Sequence, residues 1–344
     1  MAKTIDDMLI GVLGAGSIGC YVGGCLQQSG CAVRYFGREH VASDIRSAGL
    51  RLTSHDGRMA DLPAEAVDFR TDLSGLEECD ILLVCVKSPA TEETAAAMAG
   101  AIDSNAVVIS LQNGVANADV LRRRLPDSTV LAGMVAFNVA RLQGAHFHLG
   151  TDGDIYIEDH PVARVFVDRL NAASVSAKTS LDMKAVLWGK LLLNLNNGLN
   201  VLSDMPLRRQ LLDRDYRRAL ALLIEETLTV LKTAGVSPAK IGKAPPGLMA
   251  SILRLPNWLF ERVAASMLKI DDKARSSMRD DLDRGRKSEI AFINGAVVEL
   301  AAKLNASIPV NAAVIALVED AFAMGQSPAL EGRDLLQRLQ KAAA

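Results

Sequence analysis

The stretch Leu9-Ile10-Gly11-Val12-Leu13-Gly14-Ala15-Gly16-Ser17-Ile18-Gly19 decides the fold. A compact apolar run, long enough for one strand, feeds a G-x-G-x-x-G turn. Residues 17–29 then read as a helix, with Gly30 as its stop. The glycine spacing alone is a weak signal; a strand before it and a helix after it are what dinucleotide binding requires. In that setting Gly14 permits the tight turn, Gly16 lets a backbone approach a pyrophosphate, and Gly19 lets helix and strand pack closely. The free N–H groups and the dipole at the helix start favour phosphate. The turn through Gly14, Ala15, Gly16, Ser17, Ile18 and Gly19 is therefore a candidate dinucleotide cradle. The plainer alternative is a glycine-rich turn with no ligand.

Moving outward, short apolar runs alternate with helical segments. Strands are expected over residues 31–36, 81–86, 106–111 and 130–139, and helices over 39–48, 90–101 and 116–125. Continuous apolar strands separated by helices mean a parallel sheet covered on both faces. Residues 50–69 read as an antiparallel excursion turning at Asp56-Gly57. Residues 147–149 and 154–157, split by Gly150 and Gly153, read as a second hairpin. From Leu181 onward strand signals vanish, and helices are expected over 181–202, 215–234, 258–268, 288–304 and 311–324. The fold class is α/β: an N-terminal Rossmann-type dinucleotide-binding domain (1–180) followed by an all-α C-terminal domain (181–344).

Composition agrees with two ordinary globular domains. The 344 residues are 49% hydrophobic and 23% charged, which excludes a disordered chain. Lys+Arg 38 against Asp+Glu 40 gives a net charge of −2, and aromatics are only 4%, so no nucleic-acid partner is expected. Five cysteines, an odd number without a C-x-x-C pair, fit a reducing, cytoplasmic compartment. No secretory signal and no membrane span are expected.

The second strand chooses the dinucleotide. An NAD site usually places an acid at its end, whereas this strand ends Tyr35-Phe36-Gly37-Arg38. A guanidinium there can pair with the 2′-phosphate of NADPH. Glu39, a first-turn helix acid, is expected to point elsewhere. The competing reading of Arg38 is a solvated surface arginine.

The segment Trp188-Gly189-Lys190-Leu191-Leu192-Leu193-Asn194-Leu195-Asn196-Asn197-Gly198 sets Lys190, Asn194 and Asn197 within a narrow arc of one helix face, with leucines over much of the rest. Polar groups in such a setting need partners, and a wall that meets a polar ligand supplies them. Desolvation lowers a lysine pKa and suits it to general-acid work. A helix–helix polar contact with a snorkelling lysine is the plainer alternative. Trp188 reads as core. Ser276 or Ser277 can cap a helix, and Glu289 leads an otherwise apolar one. Gln112-Asn113-Gly114 and Lys87-Ser88-Pro89 follow strands at the edge where such sheets bind ligands. His146 and His148 alternate on a strand without a third ligand near in sequence, so no metal is expected.

Taken in order, these motifs resemble the ketopantoate reductase (2-dehydropantoate 2-reductase) family over nearly the whole chain. They are the glycine turn, Arg38, Leu83-Val84-Cys85-Val86-Lys87, Gln112-Asn113-Gly114, the Trp-x-Lys-Leu helix, and Ser277 with Glu289 through Gly295. The resemblance implies a Rossmann domain, a helical domain and an active site in the cleft between them. It implies NADPH-dependent reduction of a 2-oxo acid, 2-dehydropantoate, to (R)-pantoate on the route to coenzyme A. It assigns Lys190 as proton donor and Glu289 as a carboxylate acting on cofactor and substrate hydroxyls. Asn194 and Ser277 match substrate contacts, Asn113 an amide near both ligands, Lys87 a cofactor contact, and Ala140 a backbone contact at the nicotinamide end. Some members carry a second Asn two turns after the lysine; here that place is Gly198, with Asn197 just before it, and both are taken as substrate-side candidates. A further substrate-side Asn of some members aligns near Arg208 and is not carried over. Residues 244–273 form a longer segment than in compact members. A reductase of another 2-oxo acid and a non-catalytic NADPH-binding sensor remain the competing functions, and a homodimer is compatible with the pattern.

Overall fold

The computed structural model describes residues 8–265, 268, 272 and 274–344. Two compact units divide the chain, one ending at Met183 and the other starting at Lys184. The residues before Met8, on which the absence of a signal was judged, lie outside the described part.

The first unit runs β1 (Leu9–Leu13), α1 (Ser17–Gln28), β2 (Ala32–Phe36), α2 (Glu39–Ala48), β3 (Leu50–Ser54), β4 (Met59–Leu62), β5 (Asp68–Arg70), β6 (Ile81–Val84) and α3 (Thr91–Met98). It continues with β7 (Val107–Ser110), α4 (Asn117–Arg124), β8 (Thr129–Val135), β9 (Val139–Arg141), β10 (His146–Leu149), β11 (Ile155–Glu158), α5 (Pro161–Ala172) and β12 (Ala177–Ser180). Among the described residues an eight-stranded sheet has the order β12-β11-β8-β7-β6-β1-β2-β5, and a smaller sheet the order β4-β3-β10-β9. The main sheet is parallel except where β11 runs antiparallel to β8. Burial explains why its central strands read as unbroken apolar runs: every residue of β6 is buried, and every residue of β7. Helix α5 shows the matching 3.6-residue period, with Ala163, Phe166, Val167 and Leu170 buried.

Three expectations need correction. The antiparallel excursion expected over 50–69 is confined to β3 and β4, and β5 runs parallel beside β2 in the main sheet. The run 130–139 is not one strand. Strand β8 ends at Val135, and Val139–Arg141 joins the smaller sheet. The segments around Gly150 and Gly153 do not form a hairpin either. Strand β10 pairs with β9 and β3, whereas β11 returns to the main sheet beside β8 and β12. Alternation shows that a strand is half-buried but does not name its partner.

The second unit runs α6 (Met183–Asn194), α7 (Asn196–Ser203), α8 (Leu207–Leu212), α9 (Arg214–Thr233), α10 (Pro246–Arg254), α11 (Asn257–Val263), α12 (Ser277–Asp283), α13 (Ile290–Lys303), α14 (Pro309–Met324) and α15 (Gly332–Ala343). The helix expected over 181–202 is broken at Leu195. The one expected over 258–268 stops at Val263, and residues 266 and 267 lie outside the described part. Asp213 caps the long helix α9, and Glu226 within it accepts the Val310 and Asn311 N–H groups at 2.9 and 2.8 Å, closing the start of α14. Among the described residues no helix is long and apolar enough to cross a membrane.

Candidate active site

The glycine turn separates into packing and binding positions. Gly14 has φ +83, and a Cβ there would lie 2.5 Å from the Val86 nitrogen. The N–H groups of Gly14 and Ala15 both donate to the Phe36 carbonyl at 3.0 Å, which locks the turn to the end of β2. A Cβ at Gly19 would lie 2.8 Å from both the Gly14 oxygen and Val12 Cγ1, so helix α1 sits directly on β1. Gly16 differs. It is exposed, and nothing stands closer to its missing Cβ than the Gly14 oxygen at 3.9 Å. Internal packing accounts for Gly14 and Gly19 but not for Gly16. Helix α1 has no side-chain cap and no acid in its first turn. Its first N–H groups suit a phosphate, so a dinucleotide pyrophosphate fits the residues present.

Arg38 follows β2 and is exposed; its carbonyl accepts the Val41 and Ala42 N–H groups, while its guanidinium has no hydrogen bond or ion pair among the described residues. Glu39 pairs with Arg46 across α2 and so points away from Arg38. Lys87 follows β6 and Asn113 follows β7, so the parallel register brings both to the same carboxyl edge as the glycine turn. Ala140 lies on the smaller sheet, exposed on β9 opposite His148. His146 Nε2 and His148 Nδ1 share the Thr53 hydroxyl at 2.7 and 2.8 Å. Among the described residues no group of three or more His, Cys, Asp or Glu side chains is placed to hold a metal.

In the second unit, Trp188 is buried, and Gly189 lets α6 approach the chain at Ala239, whose oxygen would be 2.2 Å from a Cβ there. Lys190 follows at once. It is half-buried, and no described residue hydrogen-bonds or pairs with its ammonium. Burial alone pulls its pKa down to about 8. Asn194, one turn on, and Asn197, at the start of α7, are half-buried. Gly198 is buried: a Cβ there would meet Val314 Cγ1 at 2.9 Å and Ile290 Cδ1 at 3.2 Å. Its position is one of helix packing, and it offers no side chain to a substrate. Ser276 takes the capping role, its Oγ accepting the Arg279 N–H at 3.2 Å, and this leaves the neighbouring Ser277 exposed. Glu289 is 2% exposed at the head of α13, next to the Ile290 that packs on Gly198.

The chain matches the family described as ketopantoate reductase PanE/ApbA over residues 10–161 and its C-terminal part over residues 182–321. It belongs to the ketopantoate reductase family. The 2-dehydropantoate 2-reductase of Halobacterium salinarum is 31% identical over 313 residues, covering 88% of this chain and 95% of the relative. That of Archaeoglobus fulgidus is 25% identical over 317 residues, covering 89% and 95%. The crystal structure of a PanE/ApbA family ketopantoate reductase from Ralstonia eutropha superposes with TM-score 0.80 at 30% identity, covering 92% of this chain and 99% of that one. A D-mandelate dehydrogenase solved with NADH and anilino(oxo)acetate shares the fold, at TM-score 0.77 and 19% identity over 92% and 99% of the two chains. The protein is an oxidoreductase of the ketopantoate reductase family, with a Rossmann-type N-terminal domain and a helical C-terminal domain.

For a ketopantoate reductase fold, one supporting network escapes a linear reading. The Asn113 carbonyl accepts from Ser88 Oγ at 2.8 Å and from Asn117 Nδ2 at 2.5 Å. Thr91 Oγ1 donates to Asn117 Oδ1 at 2.8 Å and accepts from Gln112 Nε2 at 2.7 Å. Ser88, Thr91, Gln112 and Asn117 are all buried. They fix the turn that carries Asn113, which continues into Gly114 at φ +94. The signal available in the sequence is an Asn four residues after Asn113, but its other partners, Thr91 and Ser88, lie more than twenty residues away.

Proposed function

We propose that this family member reduces 2-dehydropantoate to (R)-pantoate with NADPH, with Lys190 as the general acid. The observation that carries the reading is Lys190 itself: a desolvated ammonium without a partner among the described residues, brought to about 8, on a helix with Asn194 one turn on. Reduction of a ketone builds negative charge on one oxygen, and a positioned cation stabilises that charge and supplies its proton. When bound, the reduced nicotinamide supplies the hydride to the carbonyl carbon. The chain's own residues do the rest. The N–H groups of Ser17, Ile18 and Gly19 at the start of α1, reached over the turn Gly14–Gly16, and the Arg38 guanidinium hold phosphates, and Lys87, Asn113, Ala140 and Glu289 complete the cofactor side. Asn194, Asn197 and Ser277 orient the acid, a positional contribution. The Lys190 Nζ gives one proton to the alkoxide oxygen and regains it from solvent.

A second reading, reduction of a related 2-oxo acid, is favoured by Gly198. Its packing against Ile290 and Val314 leaves no room for the amide that some members carry there. Steady-state NADPH oxidation by the purified protein with a panel of 2-oxo acids tests both. Highest kcat/KM with 2-dehydropantoate supports the first reading, and a different preferred acid supports the second. NADPH binding with no turnover on any acid favours a sensor and sinks both.

A further inference from the structure

The helix that follows Lys190 carries a buried amide that the chemistry does not use. Asn200 on α7 is fully buried. Its Nδ2 donates to the Met205 carbonyl and to Gln210 Oε1, both at 2.8 Å, and its Oδ1 accepts the Ser276 N–H at 2.8 Å. Gln210 is 1% exposed and donates its own Nε2 to Asn196 Oδ1 at 3.1 Å, so neither amide can turn over without losing bonds. Ser276 Oγ donates to the Asn197 carbonyl at 3.4 Å, a second tie from the same residue to α7. Beyond this pivot, Asp204 at the end of α7 pairs with Arg279 at 2.6 Å and with Arg275 at 3.2 Å, which prevents α12 from swinging about Ser276. The peptide plane passes this restraint to the next residue, Ser277, whose hydroxyl is exposed and has no partner among the described residues.

We infer that Asn200 is a positioning residue: through Ser276 it holds the Ser277 hydroxyl in place relative to Asn197, and so sets affinity for the 2-oxo acid. The inference rests on the proposed role of Ser277 as a substrate contact. Proton delivery by Lys190 depends on a different anchor, the approach of Gly189 to Ala239. Loss of Asn200 therefore acts on KM for the acid and leaves kcat nearly intact.

A double-mutant cycle on the full-length enzyme tests this. Ser277→Ala should raise KM for the acid about tenfold, the scale of one hydrogen bond to a charged group. Asn200→Ala should raise it by a similar factor, with kcat and the Kd for NADPH changed by less than about threefold. Acting through one hydroxyl, the two changes should not multiply, and the double variant should resemble the worse single one. Gln210→Met, which keeps Asn200 but removes its acceptor Oε1 together with the bond to Asn196, should show the same pattern more weakly and serves if Asn200→Ala does not fold. Multiplicative effects, or an Asn200 effect confined to kcat, overturn the inference. An unchanged KM in Ser277→Ala instead overturns the substrate role on which it rests, and the inference with it.

Discussion

The desolvation of Lys190 makes a prediction that joins rate to stability. With a pKa of about 8, the ammonium is about 90% protonated at pH 7 and about 10% at pH 9, so kcat/KM for ketone reduction should fall about tenfold between them. The quantity to measure is kcat/KM, because it reports the free enzyme. Lys190→Met should be flat over that range and slower by about 10² or more at pH 7. The same shift has a signature in folding. The unfolded chain holds this proton up to the ordinary value of 10.5, whereas the folded chain releases it near 8. Between those values the unfolded state binds more protons, so stability rises with pH there, and the full penalty is present below about 8. At about 1.4 kcal/mol per pH unit the ceiling is ~3 kcal/mol, and about 1–2 kcal/mol is expected for a half-buried chain that keeps some water. Urea melts should show Lys190→Met more stable than wild type at pH 7, with the gap narrowing by pH 10. A wild-type rate that stays level from pH 7 to pH 9.5 would refute the proton-donor argument. A stability gap that widens with pH would refute the desolvation argument.

Other expectations follow from single positions. Gly16→Ala should keep the wild-type Tm but raise KM for NADPH at least tenfold. Gly19→Ala, whose methyl meets the Gly14 oxygen and Val12 at 2.8 Å, should lower Tm, so the pair separates binding from packing in thermal melts. Arg38→Glu should raise KM for NADPH by about 10² and leave NADH nearly unaffected, since it replaces a cation with an anion at the 2′-phosphate position; equal loss with both cofactors would remove Arg38 from the phosphate site. Arg217→Ala should cost at least about 3 kcal/mol in urea unfolding, because it strands buried carbonyls at once.

Legibility in the sequence followed the range of the interaction. Strand β6 was readable because Ile81 through Val84 are buried on both faces, and burial on both faces leaves an unbroken apolar run. The strand around Phe147 was readable as a strand but not as the neighbour of Leu52, which lies 95 residues earlier in the chain. The candidate site divides in the same way. Lys190 and Asn194 could be set on one helix face because helical spacing is local, whereas Asn197 belongs to α7, beyond the break at Leu195. The sequence offered both Ser276 and Ser277 as caps; the Arg279 N–H selects Ser276, which is tied in turn to Asn200, 76 residues back, by a bond that no local pattern contains.

Two cations of the helical unit, the half-buried Lys190 and the fully buried Arg217, show what the structure adds. Lys190 sits among Leu191, Leu192 and Leu193, and Arg217 is followed closely by Ala219 and Leu220, so composition treats them alike. Counting donors separates them. Arg217 is fully buried and uses all five N–H groups: Leu253, Leu211, Leu212 and Leu255 carbonyls and Asn257 Oδ1 accept them at 2.8–3.0 Å, and Phe260 stacks 4.1 Å from the guanidinium. A guanidinium so fully satisfied has nothing left to offer a ligand, and its role is to close the ends of α8 and α10. Lys190 has a similar apolar surround and no partner among the described residues, so its desolvation is uncompensated. An uncompensated cation is costly to keep in a fold. A bound carboxylate or a nascent alkoxide would relieve that cost, which is why the missing partner points to catalysis more strongly than the lysine's presence in an apolar helix does.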